Sequence, residues 1–189
     1  QFKEIPNTKV PLVADMSSDI FSRNFDYSKF DLFYAGAQKN MGPAGTTLVI
    51  IKEDILGKVS RNIPSILDYS NHLKSGSMFN TPPVFAVYTS LLTMRWIKQQ
   101  GGIESIGSKN TIKSAYLYNE IDRNPLFTGF AAKKDRSEMN ATFNLVDNSH
   151  SEPFDAICES AGISGLKGHR SVGGYRASIY NALPKESVD

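Results

Sequence analysis

Runs of apolar residues predict where the strands of this chain lie. Residues 10–15 and 31–36 are short and apolar, and each run closes on Asp or Gly. Residues 46–52, TTLVIIK, are rich in β-branched side chains and almost continuously apolar, which is typical of a strand buried on both faces of a parallel or mixed sheet. Residues 142–146 alternate as a half-buried antiparallel strand does, and residues 175–180 also resemble a strand.

Apolar positions at helical spacing predict three helices. Residues 83–100 carry the strongest pattern, with a proline suited to the first helical turn and a Gly-Gly pair directly after the last turn. Weaker patterns predict a helix over about residues 109–122 and a shorter one over residues 153–161.

Several side chains that carry reactive or aromatic groups are predicted to have no role in chemistry. Met94 and Trp96 share a helix face with many apolar neighbours, which indicates the core. Cys158 lies in an apolar helical stretch, which predicts a buried and unreactive thiol. His72 and His150 are isolated, and no metal-ligand spacing joins them, so no metal site is predicted.

The order of the predicted elements changes near residue 101. Before this point apolar strands interleave with a helix, and after it the order is helix, alternating strand, helix and strand. The change predicts an α/β domain over residues 1–100, followed by a small α+β domain over residues 101–189.

Composition and charge narrow the class of protein. The 189 residues are 40% hydrophobic, and 21 Lys and Arg against 19 Asp and Glu give a net charge of +2 without a run of like charge. Nothing therefore favours nucleic acid or an anionic membrane as a partner, although small anionic substrates remain compatible with local cations. No apolar stretch reaches the roughly 18 residues of a membrane span. The single cysteine excludes an intrachain disulfide and fits a reduced, cytoplasmic compartment.

Both ends of the sequence suggest a longer protein. The chain begins a few residues before a predicted strand, and it stops at LPKESVD, where a proline and acidic residues are typical of the start of another helix. We therefore expect a fragment, with the final helix of its second domain truncated.

The segment YAGAQKNMGPAGTTLVII, residues 34–51, places Lys39 in a loop between two predicted strands. The surrounding glycines predict a close approach of backbone and ligand. A lysine with an ordinary pKa of about 10.4 is protonated at neutral pH, so attack on a carbonyl requires desolvation or a nearby cation. The alternative is a surface lysine in a Gly-rich turn, and spacing alone favours it.

Two further polar segments have a functional and a structural interpretation. Asp15 ends the first predicted strand, at the edge where ligands of open α/β sheets bind, and a buried Asp there pairs well with a protonated pyridine nitrogen. A turn or helix cap is the commoner role of such an Asp. Asn80 and Thr81 precede a helix, where polar groups suit either a phosphate or ordinary capping.

Cations alternate with glycines in residues 165–178, GLKGHRSVGGYRAS. Lys167, His169, Arg170 and Arg176 are predicted to lack a nearby acid, and Arg is the natural bidentate partner of carboxylate or phosphate. A substrate-binding loop and a solvated basic loop are equally compatible with this pattern.

Taken together, these segments resemble the phosphoserine aminotransferases, which are class V members of the fold-type I pyridoxal-phosphate enzymes. The matching strings, in family order, are VADMSS, FYAGAQKNMGPAG, PSILDYS, SMFNTPP and KGHRSVGGYRASIYNA. The resemblance implies the C-terminal part of a large domain, with a mixed, mostly parallel sheet and helices, followed by the small α+β domain.

The same resemblance implies pyridoxal 5'-phosphate as cofactor and assigns five residues to it. Lys39 would be the Schiff-base lysine and the proton shuttle, and Asp15 would hold the pyridinium nitrogen. Gln38 would lie beside the cofactor phosphate. Asn80 and Thr81 would reach the phosphate in the other subunit of a homodimer with shared active sites.

The implied reaction interconverts 3-phosphohydroxypyruvate and glutamate with phosphoserine and 2-oxoglutarate, in serine biosynthesis and, for some members, beside pyridoxine biosynthesis. His169 and Arg170 would recognise the distal anionic group of the substrate, and Arg176 would anchor its α-carboxylate. The family's N-terminal half, which supplies other parts of the site, is missing. We therefore expect the 189 residues alone to be inactive or nearly so.

Two other interpretations stay open. Another class V aminotransferase, such as an alanine–glyoxylate type, would act on substrates without a phosphate, whereas a cysteine desulfurase would need a mobile catalytic cysteine that Cys158 does not resemble. A non-catalytic dimerisation fragment would tolerate the loss of Lys39 and Asp15, and both residues are present.

Overall fold

The computed structural model describes residues 2–168 and 173–189, and this part of the chain forms two compact units. One unit is Ile5–Gln100, and the other is Gly101–Asp189 joined by the first residues up to Glu4. Their assignment to a large and a small domain stays a prediction.

The first unit is built on a three-stranded sheet in which each predicted strand is present but shorter than its apolar run. Strand β1 is Val13–Asp15, β2 is Leu32–Gly36 and β3 is Thr47–Ile51. β2 lies in the middle, parallel to β1 and antiparallel to β3. The C-terminal ends of β1 and β2 therefore lie at one edge of the sheet, and the loop after β2 starts at that edge.

Alternation along β2 builds the core of this unit. Phe33 and Ala35 are buried on one face of the sheet, and Phe30, Met16 and Ile20 pack with them. β3 differs from the expectation, because it is not buried on both faces and Ile50 is 47% exposed. The physical reason is its position: within the described residues it pairs with β2 alone.

Two helices complete the first unit. Helix α1, Tyr69–Lys74, begins where Asp68 accepts a hydrogen bond from the Ser70 amide, and sequence patterning did not predict it. Helix α2, Val84–Gln99, is the predicted long helix. Only a narrow stripe of α2 is buried, so the prediction that Met94 lies in the core is wrong, since it is 40% exposed, and Trp96 is half-buried.

The second unit pairs helices with an antiparallel sheet of order β4-β5-β6. Its elements are α3 (Gly102–Arg123), β4 (Phe127–Gly129), β5 (Asn140–Leu145), α4 (Ser151–Ser160) and β6 (Tyr175–Ser178). Helix α3 begins at Gly102, well before the predicted residue 109, because the Gly-Gly pair ends α2 and starts α3 with no separate loop.

Short 3-10 turns connect these elements. They are Tyr27–Lys29, Glu53–Ile55, Ser65–Leu67, Lys133–Asp135, Asn148–His150 and Lys185–Ser187.

A buried lysine on α3 fixes the segment that follows β6. Lys113 is 2% exposed, and its ammonium donates to the carbonyl oxygens of Ile179, Tyr180 and Leu183 at 3.2, 2.8 and 2.9 Å. Burial lowers the pKa of Lys113 to about 8. The end of β6 is thus held to α3 by one cation that satisfies three backbone oxygens.

Cys158 on α4 is buried, as predicted, and burial raises the pKa of its thiol. Across the described parts of the chain, none of the helices combines the length and apolar character that crossing a bilayer requires.

Candidate active site

The loop after β2 holds Lys39 on a fixed backbone. The Ala37 amide donates to the Thr46 carbonyl at 2.9 Å, which closes the loop, and the Met41 amide donates back to Ala37 at 3.0 Å. Asn40 is 4% exposed and its side-chain amide donates to the Ile20 carbonyl at 3.1 Å. These contacts anchor the residues around Lys39, whose own side chain is exposed.

Glycines in this loop face helix α2. A Cβ atom added to Gly42 would lie 2.9 Å from Ser90 Oγ and 3.3 Å from Ser90 Cα, and one added to Gly45 would lie 3.5 Å from Ala86 Cβ. The close approach predicted from these glycines is therefore real, but within the described residues it is an approach to α2.

Asp15 lies at the same sheet edge as the Lys39 loop. It is the last residue of β1 and is paired in register with Tyr34 of the parallel strand β2. Its side chain is exposed within the described residues. β1 is an outer strand of the described sheet.

Hydrogen bonds keep the Asp15 carboxylate ionised. The Ser17 hydroxyl is the largest cause of a lowered pKa at Asp15, and the Ser17 amide at 2.8 Å, the Tyr34 hydroxyl and the positive charge of Lys39 act in the same direction. The negative charge of Asp15 in turn raises the pKa of Tyr34. Asp15 is thus both a turn residue and an accessible anion beside Lys39.

Sequence reasoning missed Ser17 and Asn40. Ser17 follows Asp15 by two residues, the spacing of an Asx turn, and that spacing was the available signal. Asn40 gave no signal, because its role depends on contact with Ile20, which is 20 residues away along the chain.

Asn80 and Thr81 lie in the exposed connection between α1 and α2. The Asn80 side-chain amide donates to the Thr81 carbonyl at 3.3 Å. The N-cap residue of α2 is Pro83, which makes no side-chain capping bond, so ordinary capping of this helix does not account for the two polar residues. Gln38, next to Lys39, is exposed as well.

In the second unit, Arg176 lies on β6 opposite Thr142, with an exposed side chain. Within residues 2–168 and 173–189, its guanidinium has no carboxylate partner. The prediction that Lys167 lacks an acid is wrong, since its ammonium lies 2.8 Å from Asp155 Oδ2. His169 and Arg170 lie outside the described residues.

No group of three His, Cys, Asp or Glu side chains in the described ranges could hold a metal ion. The geometry instead offers an accessible amine and an ionised carboxylate at one sheet edge, and an exposed guanidinium in the other unit.

Comparison with known proteins relates this chain to one protein family. The family model described as Aminotransferase class-V matches residues 2–189. A phosphoserine aminotransferase of Flavobacterium johnsoniae is 66% identical over 188 residues, which are 100% of this chain and 53% of that protein. The chain thus spans about half the length of the curated relatives it matches.

Two solved structures share the fold along the whole chain. The phosphoserine aminotransferase of Bacillus circulans subsp. alkalophilus superposes with a TM-score of 0.94 at 45% identity, covering 100% of this chain and 53% of that one. The PLP-bound enzyme of Trichomonas vaginalis gives 0.93 at 38% identity, covering 100% and 54%.

Proposed function

This chain belongs to the class-V aminotransferase family, and we propose that the full-length protein interconverts 3-phosphohydroxypyruvate and L-glutamate with O-phospho-L-serine and 2-oxoglutarate. Identity of 66% to a phosphoserine aminotransferase along the entire chain supports this substrate choice within the family. The reaction belongs to serine biosynthesis, in the cytoplasm, and a side role in pyridoxine biosynthesis is part of the same proposal.

Pyridoxal 5'-phosphate is the proposed cofactor, and the residues at the sheet edge fit it. The cofactor supplies an aldehyde that binds an amine and a ring that accepts electrons from the substrate carbon. Lys39 offers the amine from an anchored loop, with its side chain exposed and open to a ligand. An ionised Asp15 at the same edge suits a protonated ring nitrogen.

Lys39 has two tasks in the proposed mechanism. Its amine would bind the cofactor before substrate arrives and, once freed by the substrate, would take a proton from the substrate carbon and hand it on. Both tasks begin from the neutral amine, and the described chain leaves this side chain exposed. We infer that further parts of the full-length protein exclude water from Lys39.

The remaining residues bind phosphate and carboxylate. Gln38 lies next to Lys39, where it can donate to the cofactor phosphate. Asn80 and Thr81 carry exposed polar groups with no capping role on α2, which supports their use toward the phosphate held by the other subunit of a homodimer.

Substrate recognition is assigned to cations of the second unit. Arg176 is exposed and lacks an acidic partner among the described residues, which suits bidentate binding of the substrate α-carboxylate. His169 and Arg170 are proposed, from sequence alone, for the distal phosphate.

The observation that carries the proposal is the placement of Lys39 and an ionised Asp15 at one sheet edge. In the full-length protein, added pyridoxal 5'-phosphate should give an absorbance band displaced from that of the free aldehyde, and Lys39→Ala should abolish it, because the displaced band reports the covalent bond to this lysine. Phosphoserine should bleach the band in the unsubstituted protein. Lys52→Ala, which alters an exposed lysine paired with Asp31, is the matched control and should leave the band unchanged.

The same assay separates the alternatives. Bleaching by alanine but not by phosphoserine would point to an aminotransferase of the alanine–glyoxylate type. An identical spectrum with and without Lys39 would contradict catalysis and leave a dimerisation role.

A further inference from the structure

A single carboxylate on α4 contacts two residues that form a β-bridge, Lys167 and Tyr175. Asp155 Oδ2 lies 2.8 Å from the Lys167 ammonium, and Asp155 Oδ1 accepts a hydrogen bond from the Tyr175 hydroxyl at 3.2 Å. Lys167 and Tyr175 form an antiparallel bridge with each other. Each oxygen of Asp155 thus contacts one residue of this bridge, and these three residues are called the Asp155 clamp.

Backbone hydrogen bonds continue the antiparallel pairing on both sides of this bridge. The Gly168 amide donates to the Gly174 carbonyl at 2.8 Å, and the Arg176 amide donates to the Leu166 carbonyl at 2.7 Å. The backbone of Arg176 therefore belongs to the same hydrogen-bonded ladder as Tyr175, the residue before it, and Tyr175 is bonded to Asp155.

Tyr175 connects Asp155 to β6, because it is the first residue of that strand and its hydroxyl donates to Asp155. It is 8% exposed, its ring stacks on Phe143 with centroids 5.5 Å apart, and it meets the edge of Phe154 at 5.0 Å. Successive side chains of a strand point to opposite faces, so a Tyr175 fixed in the core places Arg176 on the exposed face.

We propose that Asp155 is a positioning residue for Arg176, and that Lys167 belongs to this Asp155 clamp and not to the substrate-binding cations. The proposal rests on the proposed function for the role of Arg176. The Lys167 half of the clamp is exposed and contributes modestly, whereas the bond from Tyr175 lies at the edge of the core.

The test uses the full-length protein with Asp155→Ala and measures kcat and KM for phosphoserine and for glutamate. Because Arg176 would hold the α-carboxylate of both substrates, both KM values should rise roughly three- to tenfold, as the loss of a charge-assisted hydrogen bond allows. The kcat value and the absorbance band of the bound cofactor should change little.

Two further variants sharpen the result. Lys167→Met should raise KM less than Asp155→Ala does, and the double variant should be no worse than Asp155→Ala, since both remove one interaction. Asp122→Ala is the matched control, because it removes an acid of the same unit that pairs with Arg136 and Lys133.

The outcomes separate this proposal from the proposed function. Unchanged KM values for Asp155→Ala, or an equal rise for Asp122→Ala, would overturn the positioning role. If the unsubstituted protein lacks transaminase activity, the proposed function fails, and amide hydrogen exchange still decides the clamp. Exchange at the Arg176 amide should accelerate in Asp155→Ala, and unaltered exchange would refute the clamp.

Discussion

Ser17 serves two groups at the edge of the first sheet. Its hydroxyl accepts a hydrogen bond from the Gly36 amide at 3.0 Å and also bonds the Asp15 carboxylate. Gly36 is the last residue of β2, and the loop that carries Lys39 follows it. The ionisation of Asp15 and the backbone leading to Lys39 are thus tied to one side chain.

Replacing Ser17 with Ala should raise the pKa of Asp15 toward its ordinary value. The hydroxyl bonds the charged form of the carboxylate, so its removal favours the protonated form. A folded-state pKa that is lowered stabilises the protein above the unfolded pKa, and this contribution disappears as the pH falls through the folded value. As the pH falls, the Ser17→Ala variant should lose the stabilisation from ionised Asp15 at a higher pH than the unsubstituted chain does.

Carboxyl ¹³C NMR titration of the 189-residue chain measures this shift directly. Ser18→Ala is the control, since it removes a neighbouring hydroxyl that does not contribute to the Asp15 pKa. An Asp15 titration that is the same in the Ser17 and Ser18 variants would contradict the role of the Ser17 hydroxyl.

Residue chemistry could be read from sequence, whereas residue surroundings could not. Spacing alone favoured a surface lysine at Lys39 and a turn residue at Asp15, and only the family resemblance gave these residues roles; the fold places both at one sheet edge. Spacing failed on the partner of Lys167, because that partner lies on a distant segment that local spacing does not encode. Lys167 finds Asp155 twelve residues earlier, on a different element.

Among the elements, helix α2 and the Lys39 loop meet at Gly42. The side chain of Ser90 faces this glycine, and its hydroxyl is buried without a hydrogen-bond partner among the described residues. The contact leaves no room for a methyl group on the loop, so the loop and the helix constrain each other.

Gly42→Ala should destabilise the chain by about 1–3 kcal/mol, the range for overpacking in a well-packed contact. Ser90→Ala removes a buried hydroxyl that has no hydrogen-bond partner among the described residues. The free energy of unfolding should therefore increase, or decrease by less than about 0.5 kcal/mol. In the double variant the cost of Gly42→Ala should shrink, because the nearest atom is gone while the Ser90 backbone at 3.3 Å remains. Chemical denaturation of the unsubstituted chain, the two single variants and the double variant measures each free energy of unfolding. Fully additive effects would show that the two residues do not compete for space.

Element prediction succeeded where periodicity was long and missed two of the short elements, α1 and β4. α2 extends over nearly the predicted residues, because its apolar spacing persists for four turns. β4 has three residues and α1 has six, too few for a period to appear. For β3 the strand was correct and its burial was wrong, since burial depends on neighbours that sequence periodicity does not specify.

At the scale of the whole molecule, the chain exposes large apolar side chains on helix α2. Val84 is 71% exposed and Phe85 is 76% exposed, both in the first turn of α2, and Ile50 on the outer strand β3 is 47% exposed. Contiguous exposed apolar patches mark surfaces that contact other protein, and Val84 and Phe85 are neighbours in one helical turn. The chain spans 53% of the length of its Flavobacterium relative.

The 189-residue chain by itself should show no transaminase turnover with phosphoserine and 2-oxoglutarate. Lys39 is exposed here, and its proposed chemistry requires an amine shielded from water. A coupled assay on the chain and on the full-length protein, at equal concentration with added pyridoxal 5'-phosphate, measures the difference. Turnover by the chain that vanishes in its Lys39→Ala variant would contradict this expectation.

The thiol of Cys158 can report how often the second unit opens. It is the only sulfhydryl of the chain, it is 8% exposed on α4, and burial keeps it protonated at neutral pH. A covered, protonated sulfhydryl is alkylated only in the moments when the surrounding structure opens. The rate of alkylation at Cys158 Sγ therefore measures how often this part of the second unit opens, and the chain has no other thiol that would contribute to the signal.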